Sequence, residues 1–230
     1  MLTMPSRRST VSRLSWLIYA IVLCALATVL YAPVGEHLLD THDADYFADS
    51  EESLRNPSYF FSAEKRMPGR PFFELLLLLQ YAIWGNDPRL FHWAGVVLHA
   101  VAAWVLALST WRACREWDGA QLAGVLFICL CAPFQAVQWI SAHCYSLTLI
   151  CSCLSLTSFV RYVDEGKRGP ALKTMLFLVL GIASHISTAA IVPFALYISY
   201  KKRALRRETR DQVQERRFGR EGWNHAIHVA

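Results

Sequence analysis

The segment His42-Asp43-Ala44-Asp45-Tyr46 sets two carboxylates two residues apart. In an extended stretch this spacing places both on one side, where they can share a divalent cation or a substrate hydroxyl. A carboxylate positioned against an incoming hydroxyl serves as a general base. Asp43 and Asp45 are therefore the candidate catalytic residues and the candidate ligands of a divalent metal ion, should one be used. The bland alternative is a solvated acidic loop. Arg70, at the start of an apolar helix, can snorkel to a membrane interface. His143 and His185 are both expected at the outward end, where the acidic loop must fold back, and are candidate binding residues. A neutral imidazole hydrogen-bonds a phosphate but brings little permanent charge at neutral pH.

Two other patterns invite chemistry and are better read as packing. His92 and His99 are seven apart, two turns along one helical face, whereas helical metal pairs sit three or four apart. Cys129-x-Cys131 and Cys151-x-Cys153 lie inside apolar runs, where side chains two apart diverge by about 200° on a helix. They imply core packing and no disulfide framework.

The elements that must position these groups are membrane helices. The chain has 230 residues, 54% of them hydrophobic, and too little polar surface to cover a soluble globule. An uncharged run from Gly119 to Val160, broken only by His143, is long enough to cross a bilayer twice. Leu14 to Val34, Phe91 to Trp111 and Thr174 to Tyr200 are further apolar stretches. No soluble catalytic domain of ordinary size fits in the remainder. The first stretch follows Arg7 and Arg8 as a signal peptide would, but it is longer than one and reads as a retained signal anchor.

Basic clusters mark the cytoplasmic side: Arg7, Arg8 and Arg13, then Arg112 and Arg115, then Arg161, Lys167, Arg168 and Lys173, then Lys201 to Arg207. All four fall on one side if Phe72 to Trp84, short and carrying Glu74 and Gln80, lies at the outer face instead of spanning. The expected architecture is then an all-α polytopic transmembrane bundle. Its six crossings run over 14–34, 91–110, 120–136, 146–163, 172–184 and 188–200, with both termini cytoplasmic. The last two would be short helices meeting at Ser184-His185-Ile186-Ser187-Thr188; one long tilted span is the rival. Residues 1–200 form the membrane module, with an acidic outer loop over 35–71, and 201–230 a basic tail attracted to anionic lipid. Topology explains that tail without nucleic acid. Tryptophans and tyrosines at span ends form interfacial belts.

The order of short motifs carries further information. After the acidic pair come Asn56-Pro57, Gly69-Arg70-Pro71-Phe72, Trp84-Gly85-Asn86-Asp87-Pro88, Phe91-His92, Trp139-Ile140-Ser141-Ala142-His143 and the Ser-His break at 184–188. Over residues 14–200 this series resembles the membrane module of the GT-C superfamily of integral membrane glycosyltransferases, in its protein O-mannosyltransferase-like and tetratricopeptide-linked branch. The resemblance implies a polyprenyl-phosphate-linked sugar as donor at the outer face and inverting transfer to a hydroxyl acceptor. It implies Asp43 and Asp45 as the catalytic pair, Arg70 as a bidentate phosphate ligand, with snorkelling as the equal alternative, and Trp139 as a substrate-binding residue. His143 stands where the family usually has Arg, and His185 near its usual Lys-Glu. These departures, and the absence of an outward C-terminal domain, leave a second reading open: a non-catalytic subunit or lipid-carrier-binding protein on the same module, with a partner subunit. A small transporter fits poorly, because the spans hold almost no buried charge. Compactness favours a bacterial inner membrane over the endoplasmic reticulum.

Overall fold

The computed structural model describes residues 11–36, 40–130, 135–202 and 204, excluding the side chain of Thr41. Among the described residues the chain is all α, with no strand. Its principal helices are α1 (Arg13–Tyr31), α2 (Thr41–Arg55), α3 (Pro71–Trp84), α4 (Pro88–Cys114), α5 (Trp117–Cys129), the single turn α6 (Gln135–Gln138), α7 (His143–Glu165) and α8 (Arg168–Ser184). A further helical segment occupies 191–202.

Local chemistry sets these boundaries. The Ser12 hydroxyl accepts from the Ser15 N–H and caps α1, and the Asp87 carboxylate caps α4 ahead of Pro88 at its first position. Gly166, at φ +67°, ends α7 in the left-handed conformation that glycine adopts without steric cost. The helix break expected at 184–188 is present. His185 is extended, and a 3₁₀ turn, Ile186–Ala190, separates α8 from the 191–202 segment.

Three apolar segments are long enough to cross a membrane, Arg13–Glu36, Pro88–Cys114 and Ile140–Glu165, while α3 and α5 are shorter. The long helices α1, α4 and α7 begin and end within one to four residues of the expected 14–34, 91–110 and 146–163. The tail over 205–230 lies outside the described residues.

The core forms around α4, which packs against α1, α5 and α7. Ala100, Ala103 and Ala107 of α4 are buried beside Tyr19, Leu23 and Ala27 of α1. Small side chains let helix backbones approach where apolar burial supplies little driving force between helices. Two tyrosines tie α1 to α5: Tyr19 Oη donates to the Gln121 carbonyl at 2.6 Å and Tyr31 Oη to the Ile128 carbonyl at 2.8 Å. A second cluster joins α2 and α3 to the start of α4 and α7 through Tyr46, Phe47, Phe73, Leu77, Phe91 and Ile140. Phe47 meets both Tyr81, near the end of α3, and Phe91, near the start of α4. α3 therefore packs beside α2 at the start of α4.

Candidate functional site

The acidic pair is helical, and this overturns the extended geometry expected for it. Asp43 and Asp45 both lie on α2, so their side chains diverge by about 200°. They share neither a cation nor a hydroxyl. Among the described residues no group of three or more His, Cys, Asp or Glu is arranged to hold a metal ion. The helical signal was in the sequence: Asp43, Tyr46, Phe47 and Ser50 follow the i, i+3, i+4, i+7 pattern and are all buried.

Asp43 is 1% exposed and turned toward α7. Its Oδ2 accepts from the Ile140 N–H at 3.2 Å and its Oδ1 from the Ser141 N–H at 2.7 Å. A carboxylate on free N–H groups at the start of a helical segment is a charge-assisted cap. Asp43→Ala orphans both buried donors and is expected to cost about 3 kcal/mol, with Asp43→Asn, which keeps one acceptor, nearer 1 kcal/mol. Unfolding of the detergent-solubilised protein by denaturant would measure both. Asp45 is half-exposed, with Arg66 Nε at 4.0 Å. Asp49, singled out by no motif, organises the segment after α2. It accepts from Tyr59 Oη at 3.1 Å, from the Arg66 N–H at 3.2 Å and from the Met67 N–H at 3.0 Å.

Arg70 is the N-cap of α3. Its Nη1 lies 3.4 Å from both the Ser141 carbonyl and Cys144 Sγ. Ser141 thus joins two sequence-predicted residues, its N–H on Asp43 and its carbonyl on Arg70. Among the described residues Arg70 forms no ion pair, whereas Lys65, Arg66 and Arg55 each do.

His185 comes to the same place from α8. Its ring lies 4.9 Å from Tyr145, next in sequence to Cys144. Burial, assisted by the Arg70 charge, holds its pKa below the ordinary histidine value, so it is neutral at pH 7. Nδ1 accepts the Ser187 N–H at 3.2 Å, which puts the ring proton on Nε2 as a donor.

Tyr46 lies against the same guanidinium. Burial pushes its pKa up to about 12, with the Arg70 charge opposing. The phenol stays neutral in the folded state above the pH near 10 at which it ionises unfolded. Its stabilising effect is therefore complete below pH 10 and lost as pH rises from 10 toward 12. The difference in unfolding midpoint between native protein and Tyr46→Phe should be constant below pH 10, and the native midpoint should fall relative to the variant as pH rises from 10 toward 12.

His143 and Trp139 do not join this site. Trp139 precedes the 3₁₀ turn Ile140–Ala142 and is 39% exposed. His143 is fully buried against α4, where a Cβ on Gly95 would lie 2.1 Å from its Nε2. His92 and His99 flank Gly95 on α4, and the ring of His99 stacks on Phe127. Both are buried, in accord with a packing role.

Beside the cation runs an open apolar groove of about 520 Å³. Pro71, next to Arg70, lines it, with Phe60, Phe61, Phe72 and Leu75, and Ala183 close to His185 on the other wall. A guanidinium without a carboxylate partner among the described residues, next in sequence to the wall of an apolar groove on a bundle with three spanning-length helices, defines a helical membrane protein with a candidate amphiphilic-anion site. The chain matches no protein-family model, no curated protein and no solved structure.

Proposed function

We propose that this protein binds a polyprenyl-phosphate-linked sugar at the outer face of a bacterial inner membrane and transfers the sugar to a hydroxyl acceptor, in the manner of a GT-C glycosyltransferase. The observation that carries the reading is Arg70. Its guanidinium has no carboxylate partner among the described residues, and the next residue, Pro71, lines an apolar groove. A guanidinium and the Nε2–H of a neutral imidazole are both suited to phosphate oxygens. The groove suits the isoprenoid tail, so one ligand satisfies both halves of the site.

In transfer, the acceptor oxygen attacks the anomeric carbon and the phosphate departs with the electron pair of the broken bond. Arg70 and His185 stabilise the charge that collects on that phosphate. The proton of the acceptor goes to a carboxylate. Of the acidic pair, Asp45 retains oxygens free of backbone N–H groups, while Asp43 holds the 140–141 turn against which Arg70 rests. His143 contributes through packing. The chain crosses the membrane six times with both termini cytoplasmic.

A second reading is favoured by the engagement of Asp43 with two N–H groups and the opposite direction of Asp45. Here the protein holds the lipid carrier for a catalytic partner subunit and transfers nothing itself. Both readings are tested by following labelled sugar from a polyprenyl-phosphate donor in membranes bearing native protein or Asp45→Asn, alongside retention of the donor. Turnover lost only in the variant supports the enzyme; donor retention without turnover by the native protein supports the carrier subunit. Neither retention nor turnover rejects both.

A further inference from the structure

We propose that Lys65 and Glu74 form a charge clamp that keeps the Arg70 guanidinium open to an anion. The inference rests on the phosphate reading above and identifies the groups that control that site.

Glu74 lies one turn after Arg70 on α3 and is 7% exposed. Its two oxygens are divided between two partners: Oε1 accepts the backbone N–H of Arg70 at 2.7 Å, and Oε2 receives the ammonium of Lys65. The Lys65 side chain is 8% exposed, donates also to the Phe60 carbonyl at 3.0 Å, and lies 4.7 Å over the Phe60 ring. Little of the ion pair is open to water.

Two features make this more than a structural pair. A carboxylate hydrogen-bonded to the backbone of an arginine has the guanidinium of that residue within reach of a rotamer change. The Arg–carboxylate fork is also the preferred pairing for both groups away from water. Yet the guanidinium rests on the Ser141 carbonyl, the Cys144 thiol and the Tyr46 phenol, and on no carboxylate among the described residues. Lys65 is what holds Glu74 away from it. With Lys65 and Glu74 neutralising each other, Arg70 supplies the uncompensated charge beside the groove that Pro71 lines. Removing Lys65 alone releases Glu74 to close the anion site from within. Glu74 and Lys65 are accordingly positioning residues, acting through Arg70.

This control predicts a pattern of rescue. Retention of polyprenyl phosphate by protein in lipid nanodiscs would be measured for native protein, Lys65→Met, Glu74→Gln and the double variant, with folding of each checked by monodispersity in detergent. Lys65→Met should lose about tenfold in affinity, roughly the strength of one competing ion pair. Glu74→Gln should stay within about twofold of native, because its amide still accepts the Arg70 N–H. The double variant should recover to within about twofold, since no carboxylate remains to compete. Lys65→Gln, a gentler neutralisation, should reproduce the Lys65→Met loss if the latter folds poorly.

A double variant as weak as Lys65→Met means that the pair only supports the fold, and overturns the clamp. So does a tenfold gain in Glu74→Gln, which would mean a simple sum of fields. Either result leaves the phosphate reading standing, provided the native protein retains the lipid. Failure of the native protein to retain polyprenyl phosphate removes both proposals together.

Discussion

Arg70→Ala should lower retention of polyprenyl phosphate about 100-fold while leaving the protein folded and membrane-inserted. The size follows from the bonds between guanidinium and phosphate that the alanine cannot make. Charge-assisted hydrogen bonds of this kind are worth about 1.5–3 kcal/mol each, and a 100-fold change corresponds to about 2.7 kcal/mol. Stability should change by about 1 kcal/mol or less, because the contacts to the Ser141 carbonyl and Cys144 Sγ are long, at 3.4 Å, and the Tyr46 phenol can keep its place without the guanidinium. The backbone N–H that anchors Glu74 also survives the substitution. Arg70→Lys keeps the charge and loses the planar fork, so it should fall between, at about tenfold. Equal retention by all three proteins would place the anion elsewhere on the molecule or show that it is not a ligand.

The second large effect concerns Gly95. Gly95→Ala is expected to destabilise the bundle by about 3 kcal/mol, roughly a 10 °C drop in unfolding midpoint for a chain of this size. The added Cβ would meet three atoms of the His143 ring at 2.1, 2.7 and 2.8 Å. A ring edge or chain end could swing aside, but this ring is buried between α4 and α7 and has nowhere to go. Neither ring nitrogen of His143 has a hydrogen-bond partner among the described residues, so nothing polar compensates a shift. The test is a double-mutant cycle: His143→Ala alone opens a void and costs stability, yet added to Gly95→Ala it should recover most of the loss. Simple addition of the two costs would mean that the ring and the glycine are not in contact. Activity is not the readout, since His143 is assigned to packing.

These two predictions come from residues that stand very differently in the sequence. Arg70 is visible because a guanidinium followed by a proline at the start of an apolar helix is an unusual place for a charge. Gly95 gives no signal, because close approach of a ring from another helix leaves no mark on a neighbouring sequence position. The same holds for Lys65 and Glu74. In the sequence Glu74 is only a reason for keeping α3 out of the membrane, and its partner nine residues earlier becomes visible once the 56–70 segment folds back along α2. For Asp43 and Asp45 the residue types are legible and the geometry is misleading. A two-residue spacing reads as a strand feature, although Tyr46, Phe47 and Ser50 carry a helical period through the same stretch.

Sequence by itself determined the solvent, the helical class and the punctuation of the chain. Apolar runs of spanning length, Ser12 and Asp87 as caps, Pro71 and Pro88 as helix starts, and the Ser-His break at 184–188 act over a few neighbouring residues, which is why they can be read locally. Tertiary structure alone decided which polar groups meet. Asp43 and Arg70 are joined through one residue, Ser141, about 70 to 100 positions away, and His185 reaches the same cation from the end of α8. His143, close to Ser141 in sequence, is turned by the rotation of α7 onto Gly95. Side-chain direction on a helix changes by about 100° per residue, so neighbours in sequence part company while distant residues converge. Only the packing of α2, α3, α7 and α8 against one another selects the set.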